Sequence, residues 1–434
     1  MPVLLSTSHI GFESEFSSFL GRKRESEANL RDEVAEIIEI VRRRGDKALA
    51  EFTLKYDRFQ LSSGSLPWSD DKIESEIGKV DPKEQDALER SAARIRDYHE
   101  RQRPLDENWT DVAGARLGWR WTPVDTVGLY IPGGSASYPS SVLMSAIPAN
   151  VARARKLIIA CPAPGGQVSP LLCMAAKLAE VDAIFPIGGA QAVAALAYGT
   201  ESVPRVDMIA GPGNAYVAEA KRQVFGAVGI DMIAGPSEIL IIADKENDPN
   251  WIALDLLSQA EHDEFAQAIL ISTDSGLAHR VRIAVKELLN ALPRRKIAGA
   301  SWQNFGAVIV ARNLDEAVDL SDRIAPEHLQ LCVASPSKLA ARIRNAGAVF
   351  LGRWTPEAIG DYVAGPSHVL PTSRSARYSS GLSVADFMKR TSITGFSKES
   401  LLAAGDAAET LAKAEGLDAH GMSIRARLDA ARDQ

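Results

Sequence analysis

Val206-Asp207-Met208-Ile209-Ala210-Gly211-Pro212-Gly213-Asn214, followed by the Ala-rich run Ala215–Phe225, is the stretch that decides the fold. A short β-rich segment enters a Gly/Pro turn and leaves it as a helical pattern, which is the repeating unit of a parallel sheet. The unit recurs upstream. Val127–Ile131 leads into Pro132-Gly133-Gly134, Leu157–Cys161 into the helix Pro170–Leu178, and Ala183–Ile187 through Gly188-Gly189 into the helix Ala190–Tyr198. A second series follows Glu238, with strands expected at Ile239–Ala243, Ala268–Ser272, Gly306–Ala311, Leu329–Val333 and Ala348–Leu351. Between them lie helical patterns at Pro249–Asp263 and Gly276–Leu292, and one ending near Arg323. The expected class is α/β: two Rossmann-like parallel-sheet domains, each an incomplete dinucleotide fold, plus small helical N- and C-terminal segments.

Outside this region the periodicity is helical. Ser26–Arg44 carries Leu30, Val34, Ile37, Ile38 and Val41 on one face, Pro82–Arg101 repeats the pattern, and the chain beyond Ser383 reads as helix. A chain of 434 residues is too long for one ordinary core. Its 46% apolar and 24% charged residues describe a packed globular protein. The net charge of −7 argues against a nucleic-acid partner, which needs a basic footprint. No signal-length apolar segment and no run approaching a membrane span is present, so neither secretion nor membrane insertion is expected. Cys161, Cys173 and Cys332 are odd in number and set in apolar surroundings, which reads as buried thiols in the cytoplasm.

Four polar clusters can carry chemistry. Gln259 and His262 are three apart, so a helix would project both from one face. Glu327-His328 follows Pro326 and pairs two proton carriers of different natural pKa, which suits sequential acid–base steps. Gly360-Asp361-Tyr362-Val363-Ala364-Gly365-Pro366-Ser367-His368 offers a hard oxygen ligand and an imidazole between two glycines. Glu415 and His420 stand in the tail. Each cluster taken alone is better read as ordinary loop, helix-end or core polars. Together two histidines, an aspartate and a glutamine make a mixed N/O metal set. The free N–H groups of Gly211-Pro212-Gly213-Asn214 can hold a phosphate. The third glycine of the dinucleotide fingerprint is replaced by Tyr216, and a plain strand-to-helix turn fits as well.

In order and spacing, these strings resemble the histidinol dehydrogenase family over nearly the whole chain. The resemblance also rests on Gly128–Gly134, Gly188-Gly189-Ala190-Gln191-Ala192 and Ala234-Gly235-Pro236-Ser237-Glu238. It implies oxidation of L-histidinol through L-histidinal to L-histidine with NAD, the last step of histidine biosynthesis. It implies one zinc ion per subunit, held by Gln259, His262, Asp361 and His420. It implies NAD contacts at Tyr130, Gln191 and Asn214. Substrate contacts are implied at Ser237, His368 and Glu415, at the four zinc ligands and at His328. His328 is then the general base and Glu327 the residue that activates water, while zinc positions the substrate. The implied organisation is an N-terminal helical segment (1–25), a catalytic and metal-binding α/β domain (26–128 with 239–377), an NAD-binding α/β domain (129–238) and a helical tail (378–434) exchanged within a homodimer. Three rivals stand against this: a related zinc/NAD dehydrogenase of another small amino or polyol alcohol, a zinc hydrolase using Glu327 as base, and a catalytically silent binding protein, which the presence of every expected polar site residue disfavours.

Overall fold

A computed structural model describes residues 2–22, 30–61, 66–133 and 138–433. Gly134 of the Pro132-Gly133-Gly134 turn and the start of the expected helix at Ser26 fall outside them. Along the chain, β1 (Val3–Ser6) is followed by β2 (Glu107–Thr110) and β3 (Arg116–Pro123). Five short strands come next: β4 (Thr126–Tyr130), β5 (Lys156–Ala160), β6 (Ala183–Phe185), β7 (Met208–Ala210) and β8 (Gly229–Ile230). Then come β9 (Glu238–Ala243), β10 (Gln267–Ser272), β11 (Ala307–Val310), β12 (His328–Cys332), β13 (Ala348–Leu351) and finally β14 (Met388–Gly395). No described helix is long and apolar enough to cross a membrane.

The chain forms two compact units, one of residues 1–102 with 125–387, the other of 103–124 with 388–434. The first holds both parallel sheets, in the orders β1-β11-β10-β9-β12-β13 and β6-β5-β4-β7-β8. The α/β class with two parallel sheets is therefore as the sequence indicates. In the six-stranded sheet the strand Glu-Ile-Leu-Ile-Ile-Ala (238–243) is buried at every position. Successive side chains point to opposite faces. Leu240 and Ile242 join the core under the helices Phe12–Leu20 and Leu314–Ile324. Ile239 and Ile241 join the core under Pro249–Ala260, Ser275–Leu289 and Arg295–Phe305. A strand covered on both faces has no polar side to alternate with, which is why it reads as a continuous apolar run. Each of those four fully buried side chains contributes roughly 2 kcal/mol by leaving water.

The second unit has the antiparallel sheet β14-β3-β2 and the helices Lys398–Ala414 and Asp418–Arg432. The helix pair closes where Leu428, fully buried, packs against Gly405, whose missing Cβ makes room. Two expectations need correction. Residues beyond Ser383 are not helical throughout, since Met388–Gly395 pairs along its whole length with β3. The N-terminal segment is not purely helical either. Val3–Ser6 is a parallel edge strand paired with β11, and the helix Phe12–Leu20 follows it.

Candidate active site

Glu327 and His328 owe their positions to a helix stop. The helix Leu314–Ile324 ends on Ala325 in the left-handed region (φ +50°), and Pro326 prevents its continuation. β12 then starts at His328, beside Ile239 of β9. This register brings Glu238 against Glu327. Glu327 accepts the Glu238 N–H through Oε2 at 2.8 Å, and Glu238 accepts the Glu327 N–H through Oε2 at 3.3 Å. Each carboxyl thus satisfies the other residue's backbone N–H at the start of the two strands. Glu238 also accepts the Ser373 N–H at 2.8 Å.

His328 Nδ1 lies 2.9 Å from the Glu238 carbonyl oxygen, which can only accept. Nδ1 therefore carries the proton, and Nε2 is left as the basic nitrogen. Nε2 faces Glu357 Oε1 at 3.4 Å, and Nδ1 lies 3.5 Å from Glu327 Oε2. Burial pushes the Glu327 carboxyl up to about 8, against the opposing pull of His328 and of the Glu238 N–H, while the charges of Glu238 and Glu357 add to the rise. Glu357 is also pushed to about 8 by burial, and then by the nearby Asp361 and Asp255.

The helix Pro82–Glu100 anchors the Gly360–His368 loop: Ser91 Oγ donates to the Tyr362 carbonyl and Arg94 Nε to that of Val363. The loop sets Asp361 between two histidines, 3.3 Å from His368 Nδ1 and 3.9 Å from His262 Nε2. Burial alone would raise Asp361. The His368 hydrogen bond, with His328 and His262 near, instead holds it below the usual carboxylate value. His368 Nε2 in turn meets Ser141 Oγ at 3.3 Å. Ser141 stands on the helix that leaves β4, so this contact links the two sheets' halves of the unit.

Gln259 is buried on the helix Pro249–Ala260, and its Oε1 has no hydrogen-bond partner. His262 lies beyond that helix, not inside it. The helix ends at Ala260, and Asp263 caps the turn that follows by accepting the Phe265 N–H at 2.8 Å. His262 is 47% exposed, yet its Nε2 faces Asp361, while Gln259 is buried. Ser237 precedes β9 and is half-buried. Tyr130, Gln191 and Asn214 all sit at or beyond the carboxyl ends of strands in the five-stranded sheet, where open α/β sheets take ligands. Tyr130 is buried and its hydroxyl accepts the Gly189 N–H at 3.0 Å. Asn214 caps the helix Ala215–Val224 by accepting the Val217 N–H at 3.1 Å. Glu415 caps the helix Lys398–Ala414 and His420 lies in the first turn of the next helix, both exposed on the second unit.

The structure therefore gathers Glu327, His328, His262, Asp361 and His368 around one region of the first unit. It adds two carboxylates that the sequence does not single out, Glu238 and Glu357. Atoms of His328, Glu357 and Asp361 lie within 4.8 Å of one another, close enough to share a cation. The donor set suits a borderline cation such as zinc. Gln259 Oε1, a buried acceptor with no hydrogen-bond partner, is a donor atom that a cation would satisfy. The cysteines do not join. Burial pushes Cys161 and Cys332 up to about 12, so both are protonated at neutral pH.

The histidinol dehydrogenase family model matches residues 20–428. The chain belongs to the histidinol dehydrogenase family. The histidinol dehydrogenase of Cereibacter sphaeroides is 62% identical over 429 residues, covering 99% of both chains. That of Ruegeria pomeroyi is 59% identical, again over 99% of each. The crystal structure of histidinol dehydrogenase from Elizabethkingia anophelis superposes with a TM-score of 0.95 at 33% identity, covering 99% of each chain. Membership of the histidinol dehydrogenase family makes the chain an oxidoreductase of histidine biosynthesis.

Proposed function

We propose that this chain oxidises L-histidinol to L-histidine in two NAD-dependent steps, by way of the aldehyde, as a cytoplasmic homodimer. The observation that carries the reading is the buried dyad Glu327–His328, set beside Glu357 and Asp361. NAD, when bound, accepts the hydride lost in each oxidation. Zinc, when bound to Gln259, His262, Asp361 and His420, supplies a fixed charge that positions the imidazole and amino nitrogens of the substrate.

His328 takes the hydroxyl proton at Nε2, because Nδ1 is committed to the Glu238 carbonyl. In the first oxidation that proton comes from the alcohol, in the second from the hydrated aldehyde. Glu327 removes a proton from the water that adds between them. A carboxyl raised to about 8 is well matched to this, since a base poised near the working pH both holds and releases its proton. Glu357 faces Nε2, where it can share the accepted proton. Ser237, His368 and Glu415 contact the substrate, and Tyr130, Gln191 and Asn214 hold NAD in the half of the first unit built on β4–β8. Glu415 and His420 complete the site of the other subunit through an exchanged tail.

Purified, metal-loaded protein should convert one L-histidinol to one histidine with two NADH, followed by absorbance. No NADH formation would overturn the reading. The His328, Glu357 and Asp361 cluster favours a second ligand set, with the metal on His328. Loss of bound metal in His328→Ala would establish that alternative.

A further inference from the structure

Lys221 and Asp231 form an ion pair whose side chains are 2% and 1% exposed. Both direct their remaining bonds at a single residue. Asp231 Oδ2 accepts the Gly211 N–H at 2.8 Å, and Lys221 Nζ donates to the Gly211 carbonyl oxygen at 3.1 Å. The ammonium also meets Asp231 Oδ1, so a ring closes through both polar groups of one glycine. Gly211 opens the Gly211–Asn214 turn with φ of +107°, and the Tyr130 carbonyl occupies the space a Cβ would need. Lys221 rises from the helix Ala215–Val224, and Asp231 lies just past β8 with its own N–H on the Ile209 carbonyl at 3.2 Å. The pair ties the end of β7, the next helix and the end of β8 to one turn.

Stability does not explain the arrangement. A buried ion pair seldom adds net stability over apolar side chains of the same size. Apolar side chains, however, cannot grip the N–H and C=O of a glycine, the residue with the most backbone freedom to lose.

We propose that Lys221 and Asp231 are positioning residues that preorganise the Gly211–Asn214 turn for the phosphates of a dinucleotide. The inference rests on the NAD reading above. The turn's donors and the helix N-terminus are then aimed before the cofactor arrives, and no ordering cost falls on binding.

The double variant Lys221→Met/Asp231→Leu keeps the space filled and leaves no lone charge. By calorimetry, its dissociation constant for NAD should rise by at least about tenfold. Its L-histidinol affinity, metal content and circular dichroism should match the wild type. A folded double variant binding NAD within about twofold of wild type overturns the inference while leaving the cofactor reading intact. A wild type with no saturable NAD binding overturns both together. Hydrogen exchange on the wild type needs no variant: the Gly211 N–H should be protected before NAD is added. Free exchange there until NAD binds overturns the clasp even if the variant does not fold.

Discussion

Replacing Glu327 by Gln measures what it costs to hide this carboxyl group. Burial moves it from an ordinary 4.5 to about 8. Between those values the unfolded chain has released the proton and the folded protein still holds it. Folding then takes up a proton, so the stability that is fully present below 4.5 is lost as pH rises to about 8. At about 1.4 kcal/mol per tenfold change in proton affinity, the total is about 5 kcal/mol. Gln has nearly the same shape and can still accept the Glu238 N–H, now 2.8 Å away, but it does not titrate. Urea unfolding of metal-stripped wild type and variant should therefore diverge across this window. The wild type should lose about 1.4 kcal/mol more per pH unit than the variant. Asp255, raised to about 6, tilts both proteins alike. Parallel slopes would refute the reasoning, because Glu327 would then ionise freely inside the fold. In turnover the same variant should slow aldehyde oxidation more than alcohol oxidation, with histidinal supplied directly. Equal losses on both would remove Glu327 from the water-activating role.

Three further outcomes follow from the site. His328→Ala should lower turnover by roughly 10²- to 10⁴-fold, the range of a general base, with bound metal unchanged by elemental analysis. Gln259→Leu should leave the metal-free protein as stable as wild type or about 1 kcal/mol more stable, because it removes a buried unpaired acceptor, while the metal content falls. A loss of apo stability would instead assign Gln259 to packing. Mixed His262→Ala and His420→Ala subunits should regenerate one intact site per heterodimer; verified heterodimers without activity would end the tail-exchange reading.

The parallel sheets are legible in the sequence because their strands are buried on both faces, as in Ile239–Ala243, and are bounded by Gly/Pro turns. The antiparallel sheet is not. Glu107–Thr110 is exposed at every position and Met388–Gly395 at all but the first, so no apolar alternation marks either strand. Glu238 and Glu357 escape notice for a different reason. Their contacts with Glu327 and His328 arise from strand register and loop path, joining positions 89 and 29 residues apart. The helix stop before His262 is likewise hidden, because apolar spacing does not mark the turn at His262 and Asp263 that follows Ala260. The ligand, cofactor and base assignments came from the family resemblance, since each cluster alone reads as ordinary polar residues.

The ladder between β3 and β14 has a temporal consequence. Its nearest partners, Pro123 and Met388, are 388 − 123 = 265 residues apart in the chain. At ribosomal rates, β3 emerges roughly 15 to 50 s before the strand that pairs with it. During that wait the nascent polypeptide displays an unmatched edge bearing Trp119 and Trp121, a surface open to chaperones or to a neighbouring nascent chain.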